Sequence, residues 1–282
     1  GLDQNRLDNL NLKAGIFTNF SQDHLDYHKT MKAYLRAKLI LFSKLLPKKS
    51  YVIADKFIKE YSILEKISKN RQLRLLDVNK TFNDIKNLSL SLVGLFQIKN
   101  LSMAILAARL CNLNDAKINS ALKKIKNVDG RLDLIREYPN NIRVFIDYAH
   151  TPDALHEVIK SIKDTYNQNI SLVFGCGGER DFKKRPLMAK IAKLYCKKIY
   201  VTDDNPRKEN PSKIRSQITS FLKGSTHFNI GNRSKAIKKA VYNAEPNEII
   251  LIAGKGHEKY QEINGERISF DDMAELKAHF KD

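Results

Sequence analysis

The residues Lys198-Ile-Tyr-Val-Thr-Asp-Asp-Asn-Pro-Arg207 contain the pattern on which the predicted fold depends. The first five form a mostly apolar run that predicts a short buried strand, and the Asn-Pro pair predicts a turn directly after it. Two carboxylates, an amide and a guanidinium therefore follow the carboxyl end of a strand, where open α/β sheets bind ligands. A guanidinium suits a carboxylate and paired aspartates suit an ammonium, so the pattern predicts an amino-acid ligand. A solvated turn before a capped helix is the alternative.

The same pattern recurs three more times in the second half of the chain. Apolar runs typical of strands end in polar loops at residues 147–153, 175–181 and 254–258. Helical patterns separate the runs, and such alternation predicts an α/β fold with a largely parallel sheet. Because parallel strands place their carboxyl ends at one edge, four polar loops predict a composite binding site there.

The first half of the chain shows a similar alternation. The predicted strands are residues 14–18, 51–54, 73–78 and 88–93, and the strongest predicted helix is residues 31–46. Lys38 lies on the apolar face of that helix. A lysine there either extends its ammonium to solvent or acts as an amine whose pKa is lowered by burial. The pattern restarts after Arg131, so we predict two domains, residues 1–131 and 132–282.

Composition excludes several classes of protein. The chain has 282 residues, of which 42% are hydrophobic, so it can bury a substantial core. Its formal net charge of +19 would attract polyanions, but the lysines are dispersed along the chain. A basic nucleic-acid-binding module stays an alternative, and we expect no nucleic-acid partner. We also expect no membrane insertion, since no apolar run approaches the required length. The three cysteines show no paired or metal-like spacing, which favours the cytoplasm.

A series of short polar motifs runs through the chain. In order, they are Gln4-Asn-Arg6, Thr18-Asn-Phe-Ser-Gln-Asp-His-Leu-Asp-Tyr-His28, Ala37-Lys38, Gly94-Leu-Phe-Gln-Ile-Lys-Asn100, Gly130-Arg131, Asp147-Tyr-Ala-His-Thr-Pro-Asp153, Phe174-Gly-Cys-Gly-Gly-Glu-Arg180, Asp204-Asn-Pro-Arg207 and Gly254-Lys-Gly-His-Glu258. Together they resemble the Mur ligases of peptidoglycan synthesis. More narrowly, they resemble the MurE type, which adds 2,6-diaminopimelate to UDP-N-acetylmuramoyl-L-alanyl-D-glutamate.

The resemblance implies a fold and a reaction. The expected architecture is part of a central domain with a P-loop-type parallel sheet, residues 1–131, followed by a Rossmann-like C-terminal α/β domain, residues 132–282. The expected activity is that of an ATP-dependent, amide-bond-forming ligase. ATP phosphorylates the terminal carboxylate of UDP-MurNAc-L-Ala-D-Glu, the amine of meso-2,6-diaminopimelate attacks the acyl phosphate, and phosphate leaves. Mg²⁺ would neutralise charge on the phosphates.

The family's catalytic and nucleotide-binding residues match positions in this sequence. His24 resembles a Mg²⁺ ligand, and Lys38 resembles the lysine that CO₂ carbamylates so that it can also bind Mg²⁺. Asn100, Arg131 and Asp147 match contacts to adenine, phosphate and ribose. Each has a structural alternative: His24 and Asn100 could cap helices, Arg131 could form a linker salt bridge, and Asp147 could stabilise a turn. Two contacts to the UDP-MurNAc-peptide match Gln4 and Arg6.

The family's amino-acid pocket also matches residues of this sequence. These are Arg180, Asp204, Asn205, Pro206, Arg207, Gly254 and Glu258. Diaminopimelate has a second carboxylate and a second ammonium, which Arg207 and the pair of the Gly254 carbonyl with Glu258 could hold. Lysine has no distal carboxylate, and Arg207 would repel its ε-ammonium. The resemblance therefore implies selectivity for meso-diaminopimelate over lysine.

One expected motif is not found in the sequence. The G-x-x-G-K-[ST] phosphate loop lies upstream in Mur ligases, so we expect an N-terminally truncated fragment that is inactive alone and monomeric. A lysine-adding or folylpolyglutamate-type ligase shares the Gly130-Arg131 and Asp147-Tyr-Ala-His150 features and is the nearest alternative. The loops at residues 204–207 and 254–258 argue against the folylpolyglutamate type.

Overall fold

The fold is described for residues 1–279 of a computed structural model. The chain forms two compact units, Gly1–Lys126 and Asn127–Asp282, which are described separately. Each unit contains a sheet with helices, so the predicted α/β fold class is confirmed.

The first unit contains a small parallel sheet. Its strands are β1 (Ala14–Phe17), β2 (Tyr51–Ala54) and β3 (Arg74–Asp77), and its helices are α1 (Leu25–His28), α2 (Met31–Ile40), α3 (Tyr61–Arg71), α4 (Asn79–Ile85), α5 (Leu95–Leu110) and α6 (Asp115–Leu122). The strands pair in the order β1-β2-β3. A π-helical turn, Leu41–Leu45, follows α2 and places Phe42 in a core with Phe17, Val52 and Leu64.

The strand predicted at residues 88–93 is wrong. That segment is irregular and leads into α5. Leu90 and Leu92 pack against a helical cluster that includes Ile85 and Ile98. The alternation of leucine and serine therefore reflects a segment whose Leu90 and Leu92 pack partly buried on helices while Leu88 stays exposed.

The second unit contains a six-stranded sheet. Its strands are β4 (Asp133–Tyr138), β5 (Ile142–Asp147), β6 (Asn169–Phe174), β7 (Lys198–Val201), β8 (His227–Asn229) and β9 (Glu248–Ala253), and its helices are α7 (Pro152–Tyr166), α8 (Lys184–Tyr195), α9 (Pro211–Thr219), α10 (Arg233–Tyr242) and α11 (Asp272–His279). The order is β4-β5-β9-β6-β7-β8, and only β4 is antiparallel to its neighbour. All six residues of β9 are buried, which fits a central strand covered on both faces.

A hairpin outside this sheet was not predicted. It consists of β10 (Tyr260–Ile263) and β11 (Glu266–Ser269), joined by Asn264 and Gly265, which both have positive φ. Asn-Gly is a strong signal for such a turn. Both strands are polar and at least partly exposed, so their hydrophobic pattern is weak.

Across residues 1–279, no helix combines the length and the apolar character needed to cross a membrane.

Candidate functional site

The four polar loops of the second unit meet at one edge of its sheet. In the pairing register, Asp147 lies beside Ala253, Val173 beside Ile252, and Phe174 beside Val201. Strands β5, β9, β6 and β7 thus end together, and the loops that follow them share one crevice. This arrangement is the one expected for a ligand site in an open α/β sheet.

Asn205 connects the loop after β7 to the loop after β9. Its Nδ2 donates to Glu258 Oε2 at 3.0 Å, and its Oδ1 accepts a hydrogen bond from Lys255 Nζ, also at 3.0 Å. Lys255 is fully buried, and its Nζ lies 3.4 Å from Glu258 Oε2. The backbone of the loop after β9 also lies close to Asp204. A Cβ placed on Gly254 would be only 2.6 Å from Asp204 Oδ2, so a side chain at this position would clash. The predicted contact between these two loops therefore exists.

Arg207 is held by its backbone and its side chain. It has a φ of +52°, and it is stabilised there by its N–H donating to the Glu262 carbonyl and its carbonyl accepting from the Asn264 N–H. In its side chain, Nε lies 3.1 Å from Glu262 Oε2 and Nη1 donates to the Gly178 carbonyl at 2.8 Å. Among residues 1–279, Nη2 donates to no protein group, so part of the guanidinium can still bind a ligand.

The loop after β6 packs directly on the loop after β7. The Gly178 N–H donates to the Asn205 carbonyl at 2.9 Å. A Cβ at Gly178 would lie 2.0 Å from the Pro206 carbonyl oxygen, so only glycine permits this approach. Arg180 follows two residues later and is exposed. The two loops that carry Arg180 and Arg207 are thus in contact.

Asp147 stabilises the turn before β4. Its Oδ2 accepts the Leu132 N–H and its Oδ1 accepts the Ala149 N–H, each at 2.6 Å. Burial raises its pKa to about 6, against the opposing effect of these two hydrogen bonds. Both carboxylate oxygens thus accept hydrogen bonds from backbone N–H groups, as in a side chain that stabilises a turn.

Arg131 is linked to the amino-acid loops through Tyr148. The Arg131 guanidinium lies 4.4 Å from the centre of the Tyr148 ring. The Tyr148 hydroxyl donates to Glu258 Oε1 at 3.4 Å. The backbones of Gly130 and Gly256 also lie close together, so that a Cβ placed on Gly130 would be 2.3 Å from the Gly256 carbonyl carbon. The turn that carries Arg131 therefore packs on the loop that carries Glu258.

In the first unit, His24 and Lys38 both lie close to Tyr34. The His24 ring contacts the Tyr34 ring edge-on at 5.6 Å, and Lys38 Nζ lies 5.1 Å from the Tyr34 ring centre. Lys38 Nζ donates to the Asn19 carbonyl at 3.4 Å. Burial lowers the Lys38 pKa, while Asp23 partly opposes that shift. Asp23 also lies 3.5 Å from the His24 imidazole.

The other predicted residues of the first unit are exposed. Gln4 ends a short 3₁₀ turn, Arg6 follows it, and Asn100 lies on α5. Among the described residues, no three His, Cys, Asp or Glu side chains are grouped to hold a metal ion. A cation near His24 would therefore need ligands beyond these four side-chain types.

Three residues that support the crevice were not predicted. Lys255 is the second residue of the Gly254-Lys-Gly-His257 motif, so the sequence did contain a signal that it belongs to the crevice. Arg185 occupies the start of a basic helix, and Glu262 lies in the hairpin, so both resemble solvated surface residues in the sequence.

Comparison with known families identifies the chain. The model of the Mur ligase middle domain matches residues 1–108, and that of the Mur ligase glutamate ligase domain matches residues 130–256. The chain belongs to the Mur ligase family. The family predicted from the motifs is therefore confirmed.

Two curated relatives of this Mur ligase carry the same name. Proteins of Rickettsia bellii (strain RML369-C) and Rhizobium meliloti (strain 1021), 41% and 36% identical to it, are both named UDP-N-acetylmuramoyl-L-alanyl-D-glutamate--2,6-diaminopimelate ligase. The alignments cover 96% and 98% of this chain and 61% of each relative. The chain thus spans about three-fifths of the length of these relatives.

Solved structures agree on the fold. A structure titled with the same ligase name is 31% identical, with a TM-score of 0.55, over 99% of this chain and 62% of that one. A bifunctional folylpolyglutamate synthase/dihydrofolate synthase from Yersinia pestis has a TM-score of 0.67 over 94% of this chain and 61% of that one. Its 14% identity shows a shared fold alone.

Proposed function

We propose that this Mur ligase serves the ATP-dependent addition of meso-2,6-diaminopimelate to UDP-MurNAc-L-Ala-D-Glu. The names of its relatives support this substrate class. The observation that carries the proposal is the crevice of the second unit, in which groups of both charges converge. Arg207 lies on the loop after β7 with Nη2 donating to no group among residues 1–279, and the carboxylates of Asp204 and Glu258 lie on that loop and on the adjoining loop after β9.

The charge pattern fits the distal end of diaminopimelate. Its second carboxylate would bind the Arg207 guanidinium, and its second ammonium would bind Glu258 and the Gly254 carbonyl. Lysine has no distal carboxylate to bind Arg207 Nη2, so it would leave Nη2 without a ligand group and place its ε-ammonium near the guanidinium. We therefore propose Arg180, Asp204, Asn205, Pro206, Arg207, Gly254 and Glu258 as the amino-acid pocket.

In the proposed reaction, the substrate carboxylate attacks the γ-phosphorus of ATP and ADP leaves. The diaminopimelate amine, in its neutral form, then attacks the acyl carbon and loses a proton, and inorganic phosphate leaves with the electrons of the broken C–O bond. Protein residues hold the amino acid so that its amine reaches the acyl carbon. We assign Asn100 and Arg131 to the nucleotide and Gln4 and Arg6 to the UDP-MurNAc-peptide. Asp147 is assigned to the nucleotide as well, because each of its oxygens can accept a second hydrogen bond beside the backbone N–H that it already binds.

The residues around Lys38 fit a role in Mg²⁺ binding. A half-buried lysine with a lowered pKa provides the neutral amine that attacks CO₂, which forms a carbamate and releases a proton. The carbamate oxygens and the His24 imidazole are suitable Mg²⁺ ligands. When bound, Mg²⁺ would supply charge neutralisation at the phosphates. We propose His24 and Lys38 for this role.

Isothermal titration calorimetry tests the amino-acid pocket directly. The wild-type chain should bind meso-diaminopimelate at least about tenfold more tightly than L-lysine, since one charge-assisted contact differs. Arg207→Met should remove this preference. Arg143→Met is the matched control, because Arg143 lies at the amino end of β5 and pairs with Glu137. Equal binding of both amino acids by the wild type would refute the proposal.

Carbon-13 NMR in labelled bicarbonate tests the carbamate. The wild type should give a carbamate signal that is absent from Lys38→Arg and retained by Lys44→Arg, since Lys44 is exposed. A spectrum identical in all three proteins would show that Lys38 is not carbamylated under these conditions and would count against its assigned role.

A further inference from the structure

Arg185, the second residue of α8, is a buried cation beside the proposed amino-acid pocket. Its side chain is 1% exposed, so it cannot touch a ligand in the crevice. Nη1 and Nη2 each donate to one oxygen of Glu209 at 2.7 Å. Nη1 also donates to Gln217 Oε1 at 2.6 Å, and Nη2 to the Gly177 carbonyl at 3.1 Å. One guanidinium therefore joins α8, α9, the loop after β6 and the loop after β7.

Glu209 continues this connection. Its Oε2 also accepts the Glu179 N–H at 3.2 Å, one residue before Arg180. Hydrogen bonding to Arg185 is the largest of the effects that lower the Glu209 pKa, so the carboxylate is charged at neutral pH. Glu209 itself follows Arg207 by two residues. The Arg185–Glu209 pair thus contacts the loops after β6 and β7 close to Arg180 and Arg207, which we propose face the ligand.

The contacts between the loops depend on their spacing. The Gly178 N–H bonds the Asn205 carbonyl at 2.9 Å, and Arg207 Nη1 bonds the Gly178 carbonyl at 2.8 Å. Because no Cβ fits between Gly178 and Pro206, the loops are already at their closest approach. Removing Arg185 would leave the Glu209 carboxylate and the Gly177 carbonyl without their guanidinium, and the loops could separate. A shift of about 1 Å is enough to weaken recognition of a ligand held at two ends.

We propose that the Arg185–Glu209 pair is a positioning pair, which sets the separation of Arg180 and Arg207. It thereby sets the affinity and selectivity of the pocket for an amino acid with a second carboxylate. This inference rests on the proposed function. The competing explanation is that the pair only stabilises the fold. The two explanations predict different affinities for diaminopimelate in a variant that is as stable as the wild type but lacks the guanidinium.

The experiment uses Arg185→Met and the double variant Arg185→Met/Glu209→Met. Arg185 is 1% and Glu209 29% exposed, so Arg185→Met leaves the Glu209 carboxylate without its cation, whereas the double variant removes both charges of the pair. The double variant should therefore recover the urea midpoint that the single variant loses. In calorimetry, both variants should bind meso-diaminopimelate at least about tenfold more weakly than the wild type, with less discrimination against L-lysine. Arg143→Met is the control, since Arg143 also pairs with a glutamate and a glutamine.

A second measurement is independent of any ligand. Amide hydrogen exchange should be faster at residues 175–180 and 205–209 in the folded double variant, and unchanged there in Arg143→Met. A double variant that binds meso-diaminopimelate like the wild type overturns the inference and leaves the proposed function intact. If the wild type itself binds no diaminopimelate, the proposed function fails. In that case, unchanged amide hydrogen exchange in the double variant overturns the positioning role as well.

Discussion

The ion pair between Arg233 and Asp272 holds the start of α11 against the sheet. Both side chains are fully buried, and Arg233 donates from Nε at 2.7 Å and from Nη2 at 2.8 Å to the two oxygens of Asp272. Nη2 also donates to the Ala253 carbonyl at 3.1 Å. Among the described residues, Nη1 has no hydrogen-bond partner although it is buried. Asp272 is therefore the main compensation for a buried positive charge.

We expect Asp272→Asn to destabilise the second unit strongly. Removing one member of a buried pair costs about 3–5 kcal/mol, and the asparagine keeps one acceptor oxygen, so about 3 kcal/mol is expected. For a unit of this size, that loss lowers the melting temperature by roughly 6–12 °C. Differential scanning calorimetry and urea unfolding would measure both quantities.

Asp271→Asn is the matched control for this prediction. Asp271 precedes Asp272, and its Oδ1 accepts the Met273 N–H at 2.9 Å, a role that asparagine fills equally well. The control should change the free energy of unfolding by less than about 0.5 kcal/mol. If Asp272→Asn were as mild as Asp271→Asn, the argument from an uncompensated buried charge would be wrong.

Two further predictions concern the crevice. Burial raises the Asp147 pKa from 3.8 to about 6, so the folded state binds a proton more tightly than the unfolded state does. The contribution of Asp147 to stability is then fully present below about pH 4 and falls by up to about 3 kcal/mol as the pH rises through 6. Urea unfolding from pH 4 to 7 should show this loss in the wild type relative to Asp147→Asn, and parallel pH profiles would contradict it. Gly178→Ala should weaken meso-diaminopimelate binding more than tenfold, because its Cβ would lie 2.0 Å from the Pro206 carbonyl oxygen. Calorimetry with Ser220→Ala as control checks this, and wild-type affinity in Gly178→Ala would show that the loops need not touch.

The meeting of the polar loops could be predicted from the sequence because it follows from strand direction alone. Once β5, β6, β7 and β9 are parallel, their carboxyl ends must share an edge. The contact between Asn205 and Glu258 is a consequence of that rule. Which atoms meet could not be predicted, because it depends on the register and on glycines such as Gly178 and Gly254.

The missed elements share a physical cause. Strand β4 and the β10–β11 hairpin alternate polar with apolar residues only weakly, because β4 is an edge strand of the six-stranded sheet and the two hairpin strands pair with each other outside it. Arg185 could not be predicted as buried, because arginine is almost never fully buried without a partner and its partner lies 24 residues away. Residues 88–93 gave a false strand because leucines packed on helices had the period of a strand.

The position of β9 has a consequence for synthesis of the chain on the ribosome. This strand separates β5 from β6, yet it is translated about 80 residues after β6 ends. At usual elongation rates, β5 and β6 are therefore synthesised roughly 4–16 s or more before the strand that pairs with both of them. Strands β5 and β6 carry the apolar residues Val144, Phe145, Leu172 and Val173, which are all fully buried in the finished sheet. Until β9 is synthesised, β5 and β6 each have an unpaired edge with which a strand of another chain could pair. Chaperone binding during that interval would protect the nascent chain from aggregation.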